Sequence, residues 1–217
     1  MNTITKFKDI LIETLKENKK MIIIFYVALI VIAILVAIFT KSLVTERLHA
    51  LSSIQTTTVP NMGETNADAL SLFIHNEIGS IQTYITSIFF GISALITITF
   101  NGYTTGMYYN LFQTIVPNGG LRYVVYLIPH GIFEYTATVL ESVAGVILFK
   151  FVWNFLRNIN KQEENGFKNK LYASFNQHKD ILIQSICLMI FVTILLLIAA
   201  PIESYVSIPI SNMIVGT

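Results

Sequence analysis

One apolar stretch of the chain carries three ionisable side chains whose spacing could do chemistry. His130 and Glu134 are four residues apart, and Glu141 follows seven residues later, so a helix places all three on one face. An imidazole beside a carboxylate can bind a metal ion, exchange protons with a substrate, or form a structural hydrogen bond. An ionisable group in hydrocarbon costs about 2.5–3.5 kcal/mol on insertion scales, so this face is expected to point into a helical bundle.

The composition sets the class of protein in which these groups must be positioned. Of the 217 residues, 53% are hydrophobic and 12% are charged, whereas a soluble domain has about 25% charged residues. Residues 21–39 and 181–200 contain no charge, and each segment is long enough to cross a bilayer. The sequence therefore predicts an all-α, multi-pass membrane protein. The first segment is interpreted as a retained span, because no small-residue cleavage site follows it.

Composition also excludes several kinds of site. The net charge of +1 and the lack of a basic patch argue against a nucleic-acid partner. Cys187 is the single cysteine, so neither an intramolecular disulfide nor a metal site built on thiolates can form. The sequence contains no phosphate-binding loop, no zinc-protease motif and no Ser/His/Asp set, and no cofactor is expected. Whether His130 and Glu134 bind a metal or a proton stays open at this stage.

Loop charges predict the topology. Lysine and arginine are concentrated in residues 1–20 and 157–180, which places both segments in the cytosol and residues 41–77 and 201–217 outside. An odd number of crossings must then lie within residues 78–156. We expect three membrane segments there, divided by turns at Asn101-Gly102 and Asn118-Gly119-Gly120. The predicted segments are 1–20, a cytosolic arm; 21–40, the first span; 41–77, an external loop that is flexible over 52–66; 78–156, a core with a span ending near Phe100, a short segment 103–116 and a span from about Pro129 to 153; 157–180, a basic cytosolic loop; 181–200, the fifth span; and 201–217, an external tail.

Polar side chains on the spans are expected to meet inside the bundle. One stripe on the second span is predicted to hydrogen-bond Glu134 and Glu141, and it consists of Gln82, Thr86, Ser93 and Thr97. The Gly102-x-x-x-Gly106 spacing permits close helix approach. The topology gives Asn76, His130, Glu134 and Glu203 the same depth, so these four are predicted to share one site at the outer face. A distance between Glu134 and Glu203 above roughly 20 Å, two helix diameters, would contradict this prediction.

Two flanking segments have helical amphipathic patterns. Apolar residues recur every three or four positions in the N-terminal arm and again after residue 166. Such helices lie on the inner leaflet or pack on protein, and the sequence leaves both possibilities open. The residues concerned are Ile4, Phe7, Leu11 and Leu15 in the arm, and Phe167, Leu171 and Phe175 in the loop.

The central motif resembles that of a known family, the stage II sporulation protein M family of integral membrane proteins. Residues 129–137, Pro-His-Gly-Ile-Phe-Glu-Tyr-Thr-Ala, are similar to the family's Pro-His-Gly-x-x-Glu-x-x-Ala pattern, and the similarity extends over about residues 76–209. Many members have paired asparagines where this chain has Asn76-Glu77. The positions that carry the resemblance are Asn76, Gly91, Asn101, Gly102, Gly106, Pro129, His130, Gly131, Glu134 and Glu203.

The resemblance implies a component of a larger assembly in a bacterial cell membrane. The sporulation member acts with partners that remodel peptidoglycan during engulfment, and other members accompany circular bacteriocins in maturation, export or self-protection. The expected partners are the lipid bilayer, other membrane proteins of the same complex, an ATPase transporter or a peptide substrate, and further copies of the chain. The sequence favours a non-catalytic scaffold or accessory subunit. Two alternatives stay open: an intramembrane hydrolase or peptide-processing enzyme using His130, Glu134 and Glu203, and a transporter or ion pathway using Glu141.

Overall fold

All regular secondary structure in the described part of the chain is helical. The computed structural model describes residues 3–52, 68–164 and 166–215, so most of the predicted flexible loop 52–66 lies outside it. A 3₁₀ turn (Ile159–Lys161) follows the sixth helix, and a π-helical turn (Glu203–Ser207) joins the seventh to the eighth. The α-helices are α1 (Thr3–Glu17), α2 (Lys19–Phe39), α3 (Lys41–Ser52), α4 (Ala69–Thr86), α5 (Ile92–Ile115), α6 (Gly119–Asn158), α7 (Phe167–Ile202) and α8 (Ile208–Val215).

Three of the described helical segments are long and apolar enough to cross a membrane. They are Lys19–Phe39, Gly119–Lys161 and Phe167–Ser211. The predicted all-α class is confirmed. Helices α4 and α5 carry the glutamine, serine and threonines of the predicted stripe.

The α6–α7 pair forms the centre of the fold. The two helices run antiparallel, since Ser185 of α7 donates to the Ala144 carbonyl while Ser174 donates to the Phe155 carbonyl, each at 2.8 Å. Small and branched side chains fill the space between them without exposure, among them Ala137, Val143, Leu188 and Val192, all 0% exposed. This pair supplies the rigid frame on which α2, α4 and α5 pack.

Helix α5 runs parallel to α2 at very short distance, as the Gly-x-x-x-Gly spacing predicts. A Cβ on Gly106 would lie 2.5 Å from the Ala33 carbonyl oxygen, so only glycine fits there. One turn further on, the Asn110 amide donates to a backbone carbonyl of α2 at 2.9 Å. The contacts advance by four residues on both helices, which fixes their parallel direction. The facing pairs are Gly102 with Leu29, Gly106 with Ala33, and Asn110 with Ala37.

The predicted turn at Asn101-Gly102 is wrong. Both residues lie inside α5, where the Asn101 side-chain amide donates to the Thr97 carbonyl at 2.9 Å and Gly102 serves the contact with α2. The chain instead reverses over residues 87–91, where Phe90 and Gly91 have φ of 59° and 66°. Left-handed backbone suits glycine and not phenylalanine, so the turn is held by its surroundings. The predicted short segment 103–116 is therefore the second half of a 24-residue helix.

The start of α6 is also earlier than predicted. The Asn118-Gly119-Gly120 turn is confirmed, since Asn118 adopts a left-handed conformation with φ of 54°. Helix α6 begins directly after it, so Pro129 is inside the helix and does not open it. Proline removes one backbone hydrogen bond, but the packed neighbours of α6 keep the helix continuous.

The segments flanking the core pack on the protein itself. In α1, Leu11 and Leu15 contact the apolar core, and in α7 the Phe175 ring meets Phe151 edge-on at 6.1 Å. The predicted external tail is largely helical, and Ser211 of α8 donates to the Arg122 carbonyl of α6. The amphipathic segments could lie on the inner leaflet or pack on protein. The faces that carry Leu11, Leu15 and Phe175 pack on protein.

Candidate functional site

A polar cluster joins α4, α6 and the π-helical turn at one end of the α6–α7 pair. Three of its side chains each offer one atom that could bind a metal, and these three atoms lie within 4.8 Å of one another. The side chains are those of His130, Glu134 and Glu203. Asn76 of α4 completes the group, because its amide donates to Glu134 Oε1 at 2.7 Å. The four residues predicted to share a site therefore do come together, far inside the roughly 20 Å limit. We call His130, Glu134, Glu203 and Asn76 the outer cluster, after the face on which the loop charges predict them to lie.

Each ionisable side chain of the outer cluster has a further partner. His130 is 2% exposed, and its Nδ1 lies 2.8 Å from the Ser207 hydroxyl. Its Nε2 lies 3.8 Å from Glu134 Oε2, which is too long for a hydrogen bond. Glu203 accepts a hydrogen bond from the Tyr126 hydroxyl. The cluster is thus a network over three elements, and not a set of isolated buried charges.

The π-helical turn explains how Glu203 reaches this network. Pro201 has no backbone N–H and cannot complete the regular hydrogen-bond ladder at the end of α7. The chain widens into a π-helical turn directly afterwards, and its first and last residues are Glu203 and Ser207. Such turns inside helices often occur at functional sites. One turn therefore supplies both a carboxylate and the hydroxyl that contacts His130.

Sequence reasoning missed two members of the network and misplaced a third. Tyr126 and Ser207 were not among the predicted residues, although Tyr126 lies one helical turn before His130. Asn76 was expected where its span opens, but α4 begins at Ala69 and Asn76 lies two turns inside it. The extra turns bring Asn76 opposite Glu134 in α6.

A polar cavity of about 580 Å³ adjoins the outer cluster between α4, α5 and α6. Glu134 lies on its wall, and so does the more deeply placed Glu141, which is 6% exposed. All four residues of the predicted polar stripe line it as well: Gln82, Thr86, Ser93 and Thr97. A lining of this kind is unusual beside hydrocarbon, where polar groups need protein or water partners.

The stripe does not make the predicted hydrogen bonds to the two glutamates. Thr97 instead pairs with Thr83 at 2.9 Å, and Thr86 donates to the Gln82 carbonyl of its own helix at 2.6 Å. The stripe and Glu141 line the same cavity without a hydrogen bond between them among the described residues. The glutamates draw their partners from other positions, such as Asn76 for Glu134.

Glu77 of α4 and Glu141 of α6 form a second acidic pair, deeper than the outer cluster. Glu77 Oε1 accepts from the Thr193 hydroxyl at 2.7 Å. Glu77 Oε2 and the Ser80 hydroxyl are buried and lack a hydrogen-bond partner within the described part of the chain. Both residues are close enough to act on the Glu141 carboxyl. Ser80 could not be singled out from the sequence, because a serine on an apolar helix usually bonds its own backbone.

Close approach of α4 to α6 depends on small residues. A Cβ on Gly145 would lie 2.5 Å from the Ser87 hydroxyl oxygen, at the end of α4. Gly91, which belongs to the predicted motif, ends the turn after α4 with positive φ. Gly131 has less severe constraints, since an added Cβ would be 3.3 Å from Leu127 side-chain atoms. The motif glycines thus act mainly through backbone geometry and helix distance.

Fold and site together define an α-helical membrane protein with an outer polar cluster and an adjoining polar cavity. The family model of stage II sporulation protein M matches residues 21–208, which is most of the chain. The chain belongs to this family, as the central motif indicates. No curated protein and no solved structure matched it significantly.

Proposed function

We propose that this chain is a non-catalytic integral membrane subunit of a complex at the bacterial cell surface. The observation that carries the proposal is the polar cavity between α4, α5 and α6. Gln82 on its rim is exposed, yet it belongs to a helix whose neighbouring side chains, such as Ile81 and Ile85, are also exposed and apolar. In a bilayer, a polar rim of this kind is stabilised by a polar segment of another protein or of a peptide.

The outer cluster supports a role in holding this binding surface. Its hydrogen bonds link α4 to α6, and α6 to the π-helical turn. The contacts from Ser207 to His130 to Glu134 resemble the nucleophile, base and acid of a serine hydrolase. However, Ser207 is 0% exposed, and the 3.8 Å contact from His130 to Glu134 is too long for a hydrogen bond. The geometry therefore favours a structural network over a serine hydrolase.

The complex is proposed to be one of those in which this family takes part. The two contexts are engulfment during sporulation, and maturation, export or immunity for a circular bacteriocin. An ATPase transporter, a peptide substrate and a second copy of the chain are the proposed occupants of the cavity. A pathway for protons or ions is a second candidate function, because Glu141 and Ser80 both line the cavity.

We propose five crossings, with the N-terminus in the cytosol and the C-terminus outside. Helix directions support this count. Helices α2 and α5 are parallel, and α6 is antiparallel to both α5 and α7, since Thr105 bonds Tyr135 while Ala94 contacts Ser142. Helix α4 runs antiparallel to α7, with Glu77 beside Thr193 and Tyr84 beside Ser185. Five helices of these directions fit loops that alternate between the two sides.

Impermeant thiol labelling of intact cells tests this orientation. Glu46 in α3 and Lys168 at the start of α7 are both exposed, so each is replaced by cysteine in a Cys187→Ser background. The Glu46→Cys variant is expected to be labelled and the Lys168→Cys variant to be protected, because the lysine-rich loop stays in the cytosol. Permeabilised cells provide the control, in which both variants are labelled. Equal labelling of both in intact cells would reject the proposed topology.

Site-specific photocrosslinking in native cells tests the cavity as a binding surface. A photoreactive amino acid replaces Gln82 on the cavity rim, or Ile30, which is 52% exposed on the outer face of α2. The Gln82 position is expected to give a discrete protein adduct at least about 10-fold more abundant than the Ile30 position, because only the polar rim selects a polar partner. Adducts are identified by mass spectrometry. Similar adducts from both positions would indicate random collision and contradict the proposal.

A further inference from the structure

The outer cluster has the donors and the supports of a metal centre. Its three ionisable side chains present one imidazole nitrogen and two carboxylate groups, and one atom from each lies within 4.8 Å of the other two. Two carboxylates this close repel each other unless one is protonated or a cation lies between them. A cation at about 2.1 Å from each donor in a tetrahedral site would hold the donors about 3.4 Å apart. Donor atoms at the 4.8 Å limit would need to approach each other by about 1.4 Å, which rotation of glutamate side chains allows.

The side chains around these donors match the supports that metal ligands require. A ligating histidine usually donates its second ring N–H to a neighbouring oxygen, which fixes the ring and leaves the other nitrogen free for the metal. Here Nδ1 of His130 is 2.8 Å from the Ser207 hydroxyl, and Nε2 is the nitrogen that faces Glu134. Asn76 orients Glu134, and Tyr126 orients Glu203. All three donors thus have an orienting partner.

We propose that His130, Glu134 and Glu203 form a binding site for a divalent transition-metal ion, with Zn²⁺ as the representative of the class. A mixed nitrogen and oxygen donor set favours such ions over Mg²⁺ and Ca²⁺, which prefer oxygen ligands alone. Three protein ligands leave one coordination position for water or for a group of a bound partner. Glu134 also lines the polar cavity, so that position is next to the proposed partner-binding surface.

This inference goes beyond the proposed function and can fail independently of it. The test uses the full chain, purified in detergent with an affinity tag that lacks histidine, stripped with EDTA and then titrated with Zn²⁺. We expect one Zn²⁺ per chain and a rise in the thermal unfolding temperature that EDTA reverses, because an ion that binds the folded state stabilises it. Mg²⁺ at the same concentration is expected to leave the unfolding temperature unchanged.

Variants separate this site from adventitious binding to other surface groups. Glu134→Gln and Glu203→Gln are expected to weaken Zn²⁺ binding at least 100-fold, and Tyr126→Phe by about 10–100-fold, the usual effect of an orienting partner. Glu141→Gln is the matched control, since it removes a carboxylate from the same cavity but outside the outer cluster. It is expected to bind Zn²⁺ as the parent does. Gel filtration and circular dichroism establish that each variant is folded.

Two outcomes would overturn the proposal. One is a folded parent chain that binds no Zn²⁺ and shows no change of unfolding temperature. The other is a Glu134→Gln/Glu203→Gln double variant that binds Zn²⁺ as tightly as the parent, which would assign the ion to other groups. If the ligand variants fail to fold, the parent's own stoichiometry and its thermal response to Zn²⁺ and Mg²⁺ decide the question.

Discussion

Replacing Gly106 by valine is expected to lower the free energy of unfolding by about 3 kcal/mol and to separate α5 from α2. A Cβ at this position would lie 2.5 Å from the Ala33 carbonyl oxygen and 2.8 Å from the Val36 Cβ. These neighbours are backbone and the branch point of a side chain, and neither can move without shifting α2. Because α2 carries the first predicted span, its displacement should also reduce the amount of protein recovered from membranes.

Gly79→Val in α4 is the matched control for this prediction. Gly79 is also a helical glycine, but an added Cβ there would meet nothing within 4 Å. The two substitutions change helix propensity in the same way, so their difference measures the contact between α2 and α5. Unfolding in mixed micelles, followed by circular dichroism, gives both free energies. A difference below about 0.5 kcal/mol would mean that the close contact contributes little.

His130→Leu is expected to disrupt the outer cluster and with it the assembly of the complex. The change leaves the buried Ser207 hydroxyl without its imidazole partner, at a cost of about 1–3 kcal/mol. His130→Gln should retain most of the assembly, because an amide can still bond to Ser207. Co-purification with partner proteins, in metal-free buffer, measures the effect directly.

The same pair of variants distinguishes a subunit from an enzyme. If His130 performs proton transfer, His130→Gln should abolish the activity of a complex that still assembles. If the imidazole holds the outer cluster together, assembly and activity should fall together in His130→Leu and persist together in His130→Gln. Measuring activity beside co-purification therefore separates the two functions, and an inactive, fully assembled His130→Gln complex would contradict the proposed role.

Local sequence carries much of the site, because its central residues are close along the chain. His130 and Glu134 are one helical turn apart, so their contact follows once the segment is helical. The Gly102 and Gly106 pair likewise indicates a close helix contact before its partner helix is known. The apolar composition excludes a soluble fold, and the motif around Pro129 carries the family resemblance that the family match confirms.

Turn positions were predicted less well, because glycine occurs both in turns and at close contacts between helices. Asn101-Gly102 has the composition of a turn, but packing against α2 uses the same glycine inside a continuous helix. The actual reversal includes Phe90 in a left-handed conformation, which propensity alone argues against. In both places tertiary contacts outweigh a local preference of about 1 kcal/mol.

The sequence by itself determined that this is a helical membrane protein with His130 and Glu134 on one buried face. It also indicated, through loop charges, that Asn76 and Glu203 share the depth of that face. Only the tertiary structure decided that Tyr126 and Ser207 complete the network and that Glu141 and the polar stripe line one cavity. The reason is physical: Ser207 and His130 are 77 residues apart, and their contact depends on how α7 packs along α6 and on the wide turn after Pro201. Packing of this kind is set by the fit of whole helices, which no local pattern encodes.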